Sequence, residues 1–337
     1  MLPKISITPS SSTTMLWNQL GLVACLLTTS RTYALSFPPV SRSRFLSSTA
    51  ATFFTSAAVL ATDPASCDAK MGGTRNPRYI DEEIQMQYDG PADNPRTRGM
   101  LVRRYTGDST PYQFPVSPVR LVTPWPEKAP FEPRDFERDD EMDDQAFYTI
   151  PRLVYHIDEP AVASLTQYYR KNIKEGSEIL DICSSWVSHY PLEFPKTMKR
   201  ISATGISPLE LKFNDQLTDF EARNLNKDTT LPYSDNSFDV VTCVVSIDYL
   251  NKPIEVLKEV RRVLRPGGKM IISQSNRCFP SKAIRMWLGM NDRQHLELIN
   301  GYFQYAGGFK ERKAFDITAT VPNGYRDPMF IIEAVKE

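Results

Sequence analysis

From Pro151 onward, short apolar runs alternate with stretches whose apolar positions recur at helical spacing. Residues 238–246, Phe-Asp-Val-Val-Thr-Cys-Val-Val-Ser, are almost continuously apolar, as a strand buried on both faces should be. Shorter runs at 178–182, 200–206, 219–224 and 269–274 predict four more strands. Residues 253–264 put Val256, Leu257, Val260 and Leu264 on one side and charges on the other, which predicts an amphipathic helix ended by Gly267-Gly268. Further helices are expected over 161–174, with Pro160 tolerated in the first turn, over 207–214 and over 281–288. Residues 309–318 and 328–335 close the pattern as two strands running antiparallel. Strands alternating with helices imply parallel βαβ connections. The expectation is an α/β, Rossmann-like, seven-stranded and mostly parallel sheet, with helices on both faces and an antiparallel C-terminal strand pair. Ligands then bind at the carboxyl ends of the strands.

Upstream the periodicity fades. Prolines recur between residues 70 and 148 (Pro77, Pro91, Pro95, Pro111, Pro115, Pro118, Pro124, Pro126, Pro130, Pro133) and rule out long helices. This zone reads as an extension wrapping the domain at 149–337, with its Arg side chains solvated and the acidic run 137–144 as an exposed linker. No Asp or Glu precedes Asp63. An apolar run at 16–27 leads to Thr32-Tyr-Ala34, a small-residue pattern suited to a signal peptidase. The basic, hydroxyl-rich stretch from Ser41 has the look of a transit peptide, and a second apolar run spans 50–61. Residues 1–69 are therefore expected to be a targeting presequence. In series these signals resemble the layered presequences of algal plastids bounded by extra membranes. A plastid (chloroplast) location follows, the thylakoid lumen as an onward step, with the secretory pathway as the alternative.

Charge narrows the function classes. Lys+Arg and Asp+Glu are both 40, so no electrostatic footprint for DNA or RNA exists. Five cysteines, Cys25, Cys67, Cys183, Cys243 and Cys278, stand singly and offer no zinc spacing, so no metal site is expected. No stable membrane span is expected in the processed chain, because the apolar runs near the N-terminus are short for a bilayer. A small-molecule partner is the expectation, and the oligomeric state is not readable.

Two motifs carry a family resemblance. Leu231-Pro-Tyr-Ser-Asp-Asn-Ser-Phe-Asp-Val-Val241 is similar to a Leu-Pro-Phe-x-Asp-x-Ser-Phe-Asp signature, and Glu259-Val-Arg-Arg-Val-Leu-Arg-Pro-Gly-Gly268 to the segment preceding the fifth strand of the same group. With residues 177–189, these resemble the class I S-adenosylmethionine-dependent methyltransferases that act on small molecules (type 11-like), over about 150–337. The resemblance implies S-adenosyl-L-methionine as cofactor and methyl transfer to an unidentified small-molecule acceptor. The alternative is a non-catalytic binding or assembly protein on the same fold. A nicotinamide oxidoreductase is excluded by the missing Gly-x-Gly-x-x-Gly.

By position, the resemblance implies a cofactor site of Asp181, Cys183, Ser184, Ser185, Gly205, Asn224, Leu225 and Ser246. Four departures stand out. Cys183 and Ser185 fill positions where the family uses glycine to admit its cofactor. Trp186 follows directly, in a Ser-Ser-Trp-Val-Ser-His variant of the loop. Ala203-Thr-Gly205 lacks the acid that holds the ribose, and Asn224 replaces an Asp near the adenine. His156, His189 and Asp248 are the candidate catalytic groups: two histidines able to titrate near neutrality, and a carboxylate just past the fourth strand. Arg277 is placed to hold an anion or to form an ordinary ion pair.

Overall fold

The computed structural model describes residues 81–86, 100–322 and 324–337. The presequence expected at 1–69 lies outside them. Ten strands are found among the described residues: β1 (Glu82–Met86), β2 (Met100–Arg104), β3 (Ser117–Val119), β4 (Glu178–Ile182), β5 (Arg200–Gly205), β6 (Asp219–Ala222), β7 (Phe238–Val244), β8 (Leu264–Gln274), β9 (Phe309–Asp316) and β10 (Phe330–Lys336). The helices are α1 (Asp144–Phe147), α2 (Glu159–Asn172), α3 (Phe194–Thr197), α4 (Pro208–Phe213), α5 (Pro253–Val263), α6 (Arg285–Leu288) and α7 (Asp292–Ala306).

Eight strands form one sheet in the order β3-β9-β10-β8-β7-β4-β5-β6. β6, β5, β4, β7 and β8 run parallel, while β10 is antiparallel to both β8 and β9. The chain moves outward from β4 through β5 to β6 and then returns to β7 on the other side of β4. That reversal opens a crevice beyond the carboxyl ends of β4 and β7, the place where such sheets receive ligands.

The expected fold holds, with an eighth strand in place of the expected seven. β3 comes from the proline-rich extension and pairs with β9, where Pro118 is tolerated because the strand is at the sheet's edge. α7 is an unexpected element. Asn291 caps it through a reciprocal capping box with Gln294, and Leu296, Ile299 and Phe303 are buried. Asn300-Gly301 reads locally as a breaker, but a side chain at 301 would meet the Trp125 indole ring at 2.7 Å. The glycine lets the extension lie close against the helix. The helix expected over 281–288 shrinks to its last four residues, α6.

Two expectations about the extension are corrected. Arg104 and Arg138 are buried rather than solvated, paired with Asp215 and with Asp144 (2.8 Å) respectively. Nor is 137–144 an exposed linker throughout: Asp144 is buried, and Lys282 lies 3.4 Å from it. Buried charges persist where they find opposite charges and hydrogen bonds, and this group meets both conditions. It fastens the extension to the segment following β8.

Candidate functional site

Asp181 ends β4 and is 2 % exposed. Its Oδ2 accepts hydrogen bonds from Ser184 Oγ (2.7 Å) and Ser188 Oγ (2.8 Å), and its Oδ1 from Thr242 Oγ1 (2.9 Å). The cage extends outward, since Tyr190 and Thr242 share a hydrogen bond of 2.6 Å and Asn214 Nδ2 donates to Ser188 Oγ at 2.7 Å. Burial raises the Asp181 pKa to about 6, with the three hydroxyl donors pulling the other way. This carboxylate organises the loop that follows it.

That loop turns through Cys183, whose φ of 55° is the left-handed conformation a glycine would adopt most easily. Ser184 then folds back, its N–H donating to Thr204 O at 2.9 Å across the end of β5. The Ser184 carbonyl oxygen comes to rest where a side chain at 205 would begin, so an added Cβ would overlap it. Ser185 O accepts from Asn214 Nδ2 at 3.1 Å. Trp186 is withdrawn among Val187 and Phe213, and its indole N–H donates to Val154 O at 3.1 Å.

The neighbouring strand ends carry the remaining candidates. Arg223 N donates to Gly205 O at 2.7 Å, which brings Asn224 and Leu225 beside β5; both are buried. Asn224 Oδ1 accepts from Asn226 N at 2.9 Å and holds the turn. Ser246 is half-buried at the end of β7, its hydroxyl donating to Val244 O. The preceding Val245 has a φ of 38°, a strained value for a β-branched residue.

The three catalytic candidates have separate surroundings. His156 is half-buried and sits 5.5 Å, ring to ring, from Phe279. Desolvation, reinforced by nearby Arg152, lowers its pKa to about 4. His189 is buried, with φ 56°, and lines a cavity with Arg104, Tyr155 and Thr166 beneath the extension. Desolvation and the Arg104 cation lower its pKa to about 3, so both imidazoles are neutral at pH 7. Asp248 is 3 % exposed in a 3-10 turn after β7, and its Oδ2 has no partner among the described residues. Burial raises its pKa well above the carboxylate range. Arg277 is engaged as an ion pair, its Nε 2.7 Å from Asp327.

Several residues at this edge do not stand out in the sequence. A strap at 147–156, leading from α1 to α2, is bonded to the loop after β4 and to α4. The Arg152 guanidinium stacks 3.7 Å above the Phe147 ring, and Phe147 packs 5.1 Å from Phe279. Arg152 N donates to Glu210 Oε1 at 2.7 Å. Glu210, on α4, is 1 % exposed. Ser207-Pro-Leu-Glu210 has the spelling of a capping box, which gives such a Glu a local role. Ser207 does cap α4 by accepting from Glu210 N, but the Glu210 carboxylate reaches the strap instead.

Residues 183–272 match the family model for a methyltransferase domain. The ubiquinone/menaquinone biosynthesis C-methyltransferase of Bdellovibrio bacteriovorus is 34% identical over 108 residues, covering 29% of this chain and 44% of that protein. The demethylmenaquinone methyltransferase of Bacillus mycoides is 31% identical over 119 residues, covering 31% of this chain and 47% of that protein. The chain thus spans about half the length of the curated relatives it matches. A Thermotoga maritima structure described as an S-adenosylmethionine-dependent methyltransferase, possible histamine N-methyltransferase, is 19% identical; it covers 53% of this chain and 90% of its own, with a TM-score of 0.40. The parallel strands reversing at β4 and the two motifs around β7 and β8 fall in or beside the segment that matches a methyltransferase domain, and in this segment the chain is similar to the class I S-adenosylmethionine-dependent methyltransferases.

Proposed function

We propose that this chain transfers a methyl group from S-adenosylmethionine to a small-molecule acceptor, inside a plastid, after loss of residues 1–69. The observation that carries the reading is the 183–185 loop folded against the end of β5, with Asn224 and Ser246 following the neighbouring β6 and β7 at the same edge of the sheet. The residues present suit the cofactor: Cys183 makes the left-handed turn that glycine makes elsewhere, and Gly205 leaves room for the returning Ser184 backbone. Leu225 and the aromatic strap offer an apolar wall for a purine. S-adenosylmethionine supplies, when bound, an electrophilic methyl group on a sulfonium sulfur. The chain's part is to align acceptor and methyl for in-line displacement and to exclude water, which supplies much of the rate of such reactions. A neutral His156, at the strap's inner edge, accepts the acceptor's proton.

The first acceptors to test are demethylated quinols, since relatives carry that specificity in their names. Purified residues 70–337 should bind S-adenosylhomocysteine in calorimetric titration and label a quinol with radioactive methyl from S-adenosylmethionine. No heat at millimolar ligand would leave the non-catalytic alternative standing. A fluorescent fusion of the full chain should light up plastids, and a signal confined to the secretory pathway would replace that location.

A further inference from the structure

We infer that Arg152 binds an anionic oxygen of the methyl acceptor, which makes the acceptor a small aromatic carboxylate or phenolate. The inference rests on the methyltransferase reading above. The Arg152 guanidinium carbon lies 3.7 Å from the centre of the Phe147 ring and 5.2 Å from that of Phe279. Ring faces attract a cation, so the pair fixes where this charge sits. Yet the charge meets no carboxylate. Among the described residues the guanidinium forms no ion pair, and its Nε is sealed from solvent with no hydrogen-bond partner. Its two Nη groups are not sealed, and Arg152 as a whole is only half-buried, so a ligand can reach them. A partly desolvated cation without a partner is costly, and the arginine fork matches a planar oxyanion.

The other charges nearby are engaged elsewhere. Lys282, whose Nζ is 5.8 Å from the same Phe147 ring, is paired with Asp140 (3.1 Å) and Asp144 (3.4 Å). Glu210 is close enough to feel the Arg152 charge, but its Oε1 takes the Arg152 backbone N–H rather than the guanidinium. The surroundings put the cation at the edge of the sheet where ligands are expected. Phe279 follows β8, and its N–H donates to Tyr249 Oη at 2.8 Å, just beyond β7. β8 lies on the opposite side of β4 from β5 and β6, whose ends carry the candidate cofactor positions Gly205 and Asn224. His156, kept neutral by desolvation and by Arg152, is 5.5 Å from the Phe279 ring. An aromatic acceptor set against Phe279 therefore has its oxyanion at Arg152 and a neutral histidine in the same ring cluster.

The test titrates benzoate, 4-nitrophenolate and neutral benzamide calorimetrically into the full chain saturated with S-adenosylhomocysteine, and into its Arg152→Gln and Arg285→Gln variants. A hydrogen bond to a charged group is worth about ten- to a hundred-fold in affinity, and partial exposure sets this one at the low end. The unaltered protein should bind one of the anions at least about fivefold more tightly than benzamide, and the anion preferred tells carboxylate from phenolate. Arg152→Gln should bring that preference below roughly twofold while leaving benzamide affinity in place. Arg285→Gln removes the same charge from an exposed pair with Asp139 on α6 and should change neither. A purely structural role for Arg152 would weaken all three probes together and would overturn the assignment. So would the absence of any anion preference, or its loss in Arg285→Gln. Benzoate displacing S-adenosylhomocysteine would hand the cation to the cofactor's own carboxylate, and would also overturn it. Thermal melting shows whether Arg152→Gln remains folded; should it not, Arg152→Lys, which keeps the charge but not the planar fork, must lower the preference in the same direction. Failure of the unaltered protein to bind S-adenosylhomocysteine would overturn the methyltransferase reading and the acceptor assignment with it, an outcome distinct from cofactor binding without anion preference.

Discussion

The two flanks of the sheet's central strand were built under different rules. On the β7–α5–β8 side, the sequence carries the two motifs of the resemblance, and the structure is plain packing: Val256, Leu257, Val260 and Val263 present one fully buried face. On the β4–β5–β6 side, Cys183 and Ser185 stand where the resembled loop has glycines, and the interior is polar, held by Asp181, Ser184, Ser188 and Asn214, with Thr242 reaching in from β7. The first flank tolerates description by hydrophobicity alone. The second works only as a closed hydrogen-bond network, because a buried carboxylate without its donors would be costly. Where the resembled loop has glycines, this chain's loop is fixed by hydroxyls, Ser184 and Ser188, bonded to Asp181.

The sharpest way to test that contrast begins on the apolar flank. Leu257→Ala deletes a wholly buried side chain and should lower stability by about 2–5 kcal/mol in chemical denaturation, with no dependence on pH. A loss under about 1 kcal/mol would mean that this flank relaxes around cavities and is not the rigid half.

Asp181→Asn probes the polar flank with the opposite signature. The folded pKa of Asp181, about 6, lies above the ordinary aspartate value of 3.8. Its stabilising contribution is therefore fully present below pH 4 and lost as pH rises through 6. Relative to the parent, the Asn variant should gain up to about 3 kcal/mol between pH 4 and pH 7. Taking the difference between the two proteins at each pH cancels other titrating groups, His156 and His189 among them. A difference curve flat across this range would remove the buried, proton-binding carboxylate from the account.

A smaller effect is expected at the junction of β4 and β5. Gly205→Ala forces the Ser184 carbonyl aside and weakens its N–H bond to Thr204, at a cost of about 1–3 kcal/mol. S-adenosylhomocysteine affinity should fall with it, since the loop backbone is displaced. Stability unchanged in thermal melts would show that the loop moves freely, against its caged description. For the same reason an acid introduced at 205 should disrupt the loop rather than improve ribose binding.

Much of this molecule could be read from its residues. The strand–helix alternation after Pro151 predicted the parallel sheet because apolar periodicity is local, and β4, β5, β7, α2 and α5 form where it placed them within a few residues. α7 escaped because Asn300-Gly301 looks like a break, and the reason for that glycine, the Trp125 ring, lies far away in sequence. β3 escaped because three residues beside a proline carry no strand signal of their own. The candidate cofactor positions could be named from the family resemblance, yet a resemblance in sequence says nothing about orientation. It left Trp186 as an obstacle, whereas the folded loop turns it away to Val154.

The sequence by itself determined the mostly parallel sheet, its antiparallel C-terminal pair and the edge at which a ligand is expected, since these follow from periodicity and from the parallel connections it implies. Only the tertiary structure decided which carboxylates are free to meet a ligand. Asp181, Glu210, Asp219 and Asp248 are alike as letters; a hydroxyl cage, a strap amide, an arginine and an apolar burial make them four different groups. Their protonation and availability depend on donors, charges and desolvation contributed by distant segments, and those meet only when the chain has folded.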